Sequence, residues 1–444
     1  MNKKKPLSRR SFLKTAGTTA AALPVALSAS SYANIVGANK SMNVAVIGIT
    51  SRGNALLKAA TETKNVNVSH ICDVDSNALA KGVASAKKIG NKKVQGEADF
   101  RRILDNNDVD GVLIATPDHW HAPMALMALK AGKHVYVEKP CSHSPHEGEM
   151  LIEAQKKYGK VVQMGNQQRS GPGTIEAIKM IHEGGIGKAY FGKAWYANSR
   201  GSIGKGKEAA VPDWLDYELW QGPAPRMPYM DNLVHYNWHW FWNWGTGEIS
   251  NNGTHEMDIC RWALQADFPI RVSSAGGRYH FDDDWQFYDT QLASFDFEGG
   301  KTLTWEGHSC NGVSHYNRGR GALVRGTEGS VLMDRNGYIV YDVKGKVVKE
   351  RKEDGKSATT NTVGAGFLDS VHMDNFFAAI RDGAAQNSPI DEGHKSVLMC
   401  QLGNISQELG RSLNIDPTDG HIMGDAPAMA MWRRSYEPGW EMMV

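Results

Sequence analysis

Two short stretches of this chain carry side chains with chemistry to offer. His134-Val135-Tyr136-Val137-Glu138-Lys139-Pro140 reads as a buried strand that stops in a carboxylate, an amine and a proline. Val135, Tyr136 and Val137 favour extended backbone, and Pro140 has no N–H to give a ladder, so the strand ends there. Glu138 and Lys139 then sit on the C-terminal lip, the edge at which open parallel α/β sheets bind ligands. The second stretch, Gly245 to Asp258, spaces Asn251 and His255 four residues apart. On a helix that spacing turns both toward one substrate. A histidine of ordinary pKa, about 6.5, suits removal of a hydroxyl proton near neutral pH. A lysine buried at a strand lip has its pKa lowered by desolvation, which suits it to relay a proton.

These groups need something to react with, and the N-terminal part of the chain supplies it. Met42 to Gly48 is a continuous apolar run, and Gly48-Ile49-Thr50-Ser51-Arg52-Gly53 follows, with a helix opening at about Asn54. This is the G-x-G-x-x-G frame of dinucleotide-binding folds with Thr50 in the middle glycine's place, so Thr50 must turn its side chain away from a pyrophosphate. The helix N-terminus and Arg52 offer positive potential to a phosphate. A second strand, Val66 to Cys72, ends at Asp73, 20 residues after Gly53. That is where a carboxylate meets the adenosine ribose hydroxyls, and an acid there favours NAD over NADP. Asp110 to His121 and Lys160 to Gly165 add strands that end in polar loops, the last carrying Asn166-Gln167-Gln168-Arg169. Strands alternating with helices predict a doubly wound parallel sheet.

Other candidates for chemistry are weaker. His119 and His121 lack a third metal ligand at sensible spacing and read as loop histidines near the cofactor. His235 and His239 are spaced i,i+4 but lack the glutamate of a zinc-protease helix, so no metal is expected. The run His235-Tyr236-Asn237-Trp238-His239-Trp240-Phe241-Trp242-Asn243-Trp244 is the densest in aromatics of a chain with 13 tryptophans. Such faces stack on sugar C–H surfaces, although some of them must be core. The proline- and glycine-bearing segment Asp213 to Pro225 predicts loops over the mouth of the site.

Taken together, Gly48 to Gly53, Asp73, Ala115-Thr116-Pro117-Asp118-His119 and Glu138-Lys139-Pro140 resemble the glucose–fructose oxidoreductase / inositol dehydrogenase / MocA family. The resemblance runs over nearly all of the chain beyond its first residues. It implies that Lys139 lies beside the nicotinamide and the reacting hydroxyl, with Glu138 near the nicotinamide ribose. Asn251 and His255 match the family's second signature, except that Asn251 stands where an aspartate is usual. An amide orients a hydroxyl but cannot share a proton. The expected cofactor contacts are Gly48, Thr50, Ser51, Arg52, Gly53, Asp73, Thr116, Pro117, His119, His121, Glu138, Lys139, Asn166 and Gln168. Lys139, Arg169, Trp238, Trp240, Asn251 and His255 are expected around the substrate, with Lys139 and His255 catalytic.

The remaining elements must hold these residues in place. Length predicts two or three domains: residues 1–33 a leader, 34–165 the Rossmann domain, and 166–444 an α+β domain with a large, mainly antiparallel sheet. In the last of these, Thr290 to Phe297 alternates in a strand, Glu298 to Lys301 turns a hairpin, and two amphipathic helices follow a loop from Asp354 to Gly366. The open face of the sheet is expected to make a dimer or tetramer, as the resemblance implies. Ser8-Arg9-Arg10-Ser11-Phe12-Leu13-Lys14 reads as a twin-arginine export signal, which predicts a periplasmic protein that leaves the cytoplasm with its nucleotide already bound. No cysteine stands in the leader, so no lipid anchor is expected. Residues 1–33 hold six basic and no acidic side chains, so their removal takes the formal charge from +2 to −4 and argues against a nucleic-acid partner. Five scattered cysteines form no disulfide pattern. The expected activity is NAD-dependent oxidation of a secondary hydroxyl of a sugar, cyclitol or glycoside with a tightly held cofactor. The alternatives are a glycosidase that oxidises, eliminates, hydrates and re-reduces, and a sugar-binding protein that has lost catalysis.

Overall fold

A computed structural model describes residues 41–353 and 366–444, so the leader and most of the expected 354–366 loop lie outside the described residues. The first half is a six-stranded sheet built from β1 (Met42–Ile47), β2 (Val66–Cys72), β3 (Gln95–Glu97), β4 (Gly111–Ile114), β5 (His134–Val137) and β6 (Val162–Met164). Its order is β3-β2-β1-β4-β5-β6 and every pairing is parallel. All six C-terminal ends therefore open on one edge, with the crevice where the order reverses between β1 and β4. Val44, Val46, Val112, Leu113, Val135 and Val137 are fully buried, as strands covered on both faces must be.

The glycine frame is dictated by space. Gly48 has φ +82°, and a Cβ there would lie 2.6 Å from the Ala115 carbonyl oxygen; one on Gly53 would lie 1.8 Å from the carbonyl of Gly48. The loop thus folds back on itself before the helix Ser51–Glu62 begins, with its first-turn amides at the crevice.

The second half is a nine-stranded sheet among the described residues: β7 (Ala189–Ala197), β8 (Arg271–Gly277), β9 (Thr290–Phe297), β10 (Lys301–His308), β11 (Arg320–Gly326), β12 (Gly329–Asp334), β13 (Gly337–Asp342), β14 (Val347–Lys352) and β15 (Leu413–Asn414). The order is β14-β13-β12-β11-β7-β10-β9-β8-β15, antiparallel except where β10 pairs with β7. One face packs on the helices Pro172–His182, Thr254–Leu264 and Ile390–Leu409 around Phe295, Trp305 and Leu402. The chain then returns to the first sheet: Met373, Phe376 and Phe377 of the helix Phe367–Asp382 pack on Val44, Val46 and Tyr136. The two sheets are bound by shared helices as well as by a linker.

Arg169, expected near the substrate, helps to make that bond. Its guanidinium donates to both carboxylate oxygens of Asp258, at 2.7 and 2.9 Å, and lies 3.4 Å from Glu392. Arg169 is 4% exposed and Asp258 1%, so the pair is closed off from water and from the cleft. A buried ion left without its partner is costly. Replacing Arg169 by Met should therefore lower the unfolding free energy by about 3–5 kcal/mol. Urea titration checks this, with nucleotide content of the folded fraction unchanged.

Candidate active site

Where the parallel strands end, residues of both halves enclose a cleft of about 600 Å³. Thr50, Ser51 and Arg52 come from the glycine loop, Thr116, Asp118 and His121 from the end of β4, and Glu138 and Lys139 from the end of β5. The second half contributes Tyr196 near the end of β7, Asn198 and Arg200 beyond it, His235, Tyr236, Trp238 and His239, and Asn251, Asn252 and His255. A smaller hollow alongside is lined by Gly48, Asp73, Val74, Thr116, Pro117 and Trp220. The two hollows follow the crevice between β1 and β4, the place where this topology accepts a dinucleotide.

The Glu138-Lys139 pair is held from both sides. The Lys139 ammonium donates to the backbone carbonyl of Asn251 at 2.7 Å and to its Oδ1 at 3.0 Å. Burial pushes its pKa down, with Glu138 and Asp118 opposing and Arg320 and Arg52 adding to the fall. Glu138 accepts from Arg52 Nε at 2.7 Å and from Gln167 Nε2 at 3.0 Å. Arg52 also donates to Asp369 at 2.6 Å. Arg52 is therefore already paired with two carboxylates, and the free cation expected for a phosphate is not available in this arrangement. The first-turn amides of the helix that begins at Ser51 still face an anion there.

Asn251 and His255 both reach the cleft, but through an irregular turn. Residues Ile249–Gly253 form a turn of π-helix before the α-helix Thr254–Leu264 begins. Such turns insert a residue and are frequent at functional sites. Here the turn aims Asn251, Asn252 and His255 at one space. Asn251 Nδ2 donates to Glu248 at 3.3 Å, and Asn252 donates to the same carboxylate oxygen. Arg200 (2.9 Å) and Ser309 (3.1 Å) bond its other oxygen. His255 is 3% exposed, and its Nδ1 has no hydrogen-bond partner among the described residues. Burial, then the charges of Arg335 and Lys139, hold its pKa well below 6.5, so its imidazole is neutral at pH 7 and open to a proton.

Several expected residues lie elsewhere. His119 is buried behind the cleft, bonded to the Trp220 carbonyl at 2.9 Å, and burial lowers its pKa to about 3. Asn166 and Gln168 are buried away from the cleft, while their neighbour Gln167 lines it. Trp238 lines the cleft and stacks on His239 with ring centres 3.6 Å apart. Trp240 stacks on Trp285 at 3.9 Å in the core and lies behind the cleft-lining Arg200, Tyr236 and His239, with the Arg200 guanidinium 5.1 Å from its ring. Asp73 accepts from the Ile49 and Asp75 amides at 2.8 and 3.0 Å, and lines the smaller hollow. Gln167, Tyr196, Asn198, Arg200 and Asn252 also line the cleft and were not among the expected site residues; Gln167 stands between Asn166 and Gln168. Tyr196, Asn198 and Arg200 alternate at the end of a strand, a period-two signal the sequence does contain.

A model of the Gfo/Idh/MocA oxidoreductase family's NAD-binding Rossmann fold matches residues 42–166, and one of its C-terminal alpha/beta domain matches residues 188–442. The chain belongs to the Gfo/Idh/MocA oxidoreductase family. Among curated relatives, a glycosyl hydrolase family 109 protein of Saccharopolyspora erythraea is 29% identical over 255 residues, 51% of this chain and 55% of that one. A protein of the same name from Shewanella pealeana is 27% identical over 230 residues, 48% of this chain and 50% of its own. The chain thus spans about half the length of the curated relatives it matches. Among solved structures, levoglucosan dehydrogenase in complex with NADH and levoglucosan aligns with TM-score 0.65 and 20% identity, covering 84% of this chain and 99% of that one. Aldose-aldose oxidoreductase from Caulobacter crescentus complexed with glycerol aligns with TM-score 0.64 and 19% identity, covering 85% and 100%. These likenesses are of fold.

The glycine cradle, Asp73 and the crevice fit NAD, and the fold closes over them. Residues 214–216 lie on the end of β2: Ser76 N donates to the Trp214 carbonyl at 2.9 Å, and Asp216 N to the Val74 carbonyl at 3.0 Å. His235 Nε2 meets Asp75 at 2.7 Å, spanning the groove from the second half to the first. His235 lines both hollows, so this contact is expected to slow the exit of a nucleotide held there. His235→Ala should shorten the half-life of bound nucleotide by about tenfold, the worth of one charge-assisted hydrogen bond. Its release into excess competing nucleotide gives the rate.

Proposed function

We propose that this protein is an NAD-dependent oxidoreductase acting on a secondary hydroxyl of a sugar, cyclitol or glycoside, with tightly held cofactor. The observation that carries the reading is the convergence of Lys139 and neutral His255 on one cleft at the switch point of a parallel sheet. Bound NAD supplies a hydride acceptor. Thr50, Ser51, Thr116 and Glu138 line the part of the cleft that would hold it. His255 takes the hydroxyl proton, because its neutral imidazole has a free acceptor. Lys139 donates to the same oxygen and steadies the charge that builds there, its lowered pKa easing return of the proton. Trp238, Tyr236 and His239 give the sugar an aromatic wall, and Asn198, Asn252 and Arg200 give its hydroxyls partners. We also propose, from the Arg9-Arg10 motif, export of the loaded protein to the periplasm.

A second reading has one observation in its favour: curated relatives are named as glycosyl hydrolases. Oxidation next to an acidic ring C–H lets an aglycone leave by elimination, after which water addition and re-reduction restore the sugar. Intact Glu138-Lys139-Pro140 favours net oxidation. Incubation with glycosides and free sugars, without an added acceptor, separates the two. Net oxidation stops after one equivalent of keto-product per site and resumes with a keto-sugar acceptor. Many turnovers of released aglycone without acceptor would reject it in favour of the second reading.

Both readings begin with the same proton transfer. Lys139→Ala and His255→Ala should each reduce turnover by ~10²-fold or more, with nucleotide still bound. Because the pKa of His255 is lowered, it stays neutral as pH falls and is lost as a base only below pH 6.5. The acid limb of kcat/KM should lie there in the parent protein and vanish in His255→Ala.

A further inference from the structure

Away from the cleft, three ligand-bearing side chains from separate strand ends converge. His280 follows β8, Asp289 precedes β9 and Cys310 follows β10. One ligand atom of each lies within 4.8 Å of the other two. We propose that His280, Asp289 and Cys310 bind a divalent cation of zinc type, with water completing a tetrahedron.

The donor set is the first reason. Imidazole, carboxylate and thiolate are the three side-chain ligands zinc takes most readily. The second reason is spacing. His280 Nδ1 stands 3.3 Å from Asp289 Oδ1, long for a charged hydrogen bond. Metal–ligand bonds of about 2.0–2.1 Å give a tetrahedron an edge of about 3.3–3.4 Å, so the two atoms already span one edge.

The third reason is that the carboxylate is fixed from behind. The amides of Tyr279 (2.7 Å) and His280 (3.2 Å) hold its Oδ2, and the Thr290 hydroxyl (2.9 Å) holds Oδ1. Outer bonds of this kind orient a metal ligand.

Charge is balanced as well. A thiolate and a carboxylate neutralise a dication, while Arg278, 4.0 Å from Asp289, is answered by its own ion pair with Asp283. Binding exchanges the thiol S–H bond for one M–S bond, the proton leaving to solvent, with no change of oxidation state. The site would brace the Ser309–Cys310 segment, whose Ser309 hydroxyl donates to Glu248, the buried acceptor behind Asn251 and Asn252.

Co2+ is the probe. The other four cysteines are buried, so a thiolate-to-cobalt charge-transfer band reports on Cys310. Chelator-treated full-length protein titrated with Co2+ should develop that band to one equivalent, and Zn2+ should erase it. Cys310→Ser should abolish the band. His280→Ala, at an exposed position that leaves the fold intact, should weaken binding by more than about tenfold. A parent protein that shows no thiolate band at stoichiometric Co2+ overturns the proposal, and so does a band that persists in Cys310→Ser.

Discussion

A buried ammonium must be met by acceptors, and much of this molecule is arranged to meet one. Lys139 stands at the end of β5 in the first half, yet both of its acceptors belong to Asn251 in the second. An ammonium with neither water nor partner would lose its proton or open the site. The approach of the two halves is thus set at the point where chemistry is proposed. The helices packed on both sheets, and the buried Arg169–Asp258 pair beneath, keep that approach from relaxing.

Around this contact the cleft is a network of few charges and many donors. Glu248 takes hydrogen bonds from Asn251, Asn252, Arg200 and Ser309, and Glu138 takes them from Arg52 and Gln167. Each carboxylate fixes residues from more than one segment. In a low-dielectric space such bonds hold direction well, which is the condition for stabilising charge that appears only during reaction.

How much of this could be read from the chain depended on the range over which each signal acts. The glycine frame, the β2 aspartate and the Glu138-Lys139-Pro140 lip are local, each requiring one turn or one strand end, and the structure places their side chains or backbone at the crevice. Arg169 could not be resolved that way. Whether an arginine beside a cleft faces substrate or a buried aspartate is decided 89 residues further along, at Asp258. Trp238 and Trp240 are two residues apart in a short 3-10 turn, and neither composition nor spacing tells which one faces the cleft. The spacing of Asn251 and His255 pointed to a helix, but not to the π turn at Ile249–Gly253 that precedes the helix from Thr254, a tertiary arrangement in which the side chains of 251, 252 and 255 all find partners or open space.

The amide at position 251 takes on a different meaning once its neighbour is considered. Asn251 gives an N–H to Glu248, a bond that an aspartate could not make. An aspartate at 251 would exchange that bond for a second carboxylate beside Glu248, with the Lys139 ammonium, 3.0 Å from the 251 side-chain oxygen, as its counter-charge. The amide thus lets one side chain answer an ammonium through its oxygen and a carboxylate through its nitrogen, a double duty that no carboxylate can perform.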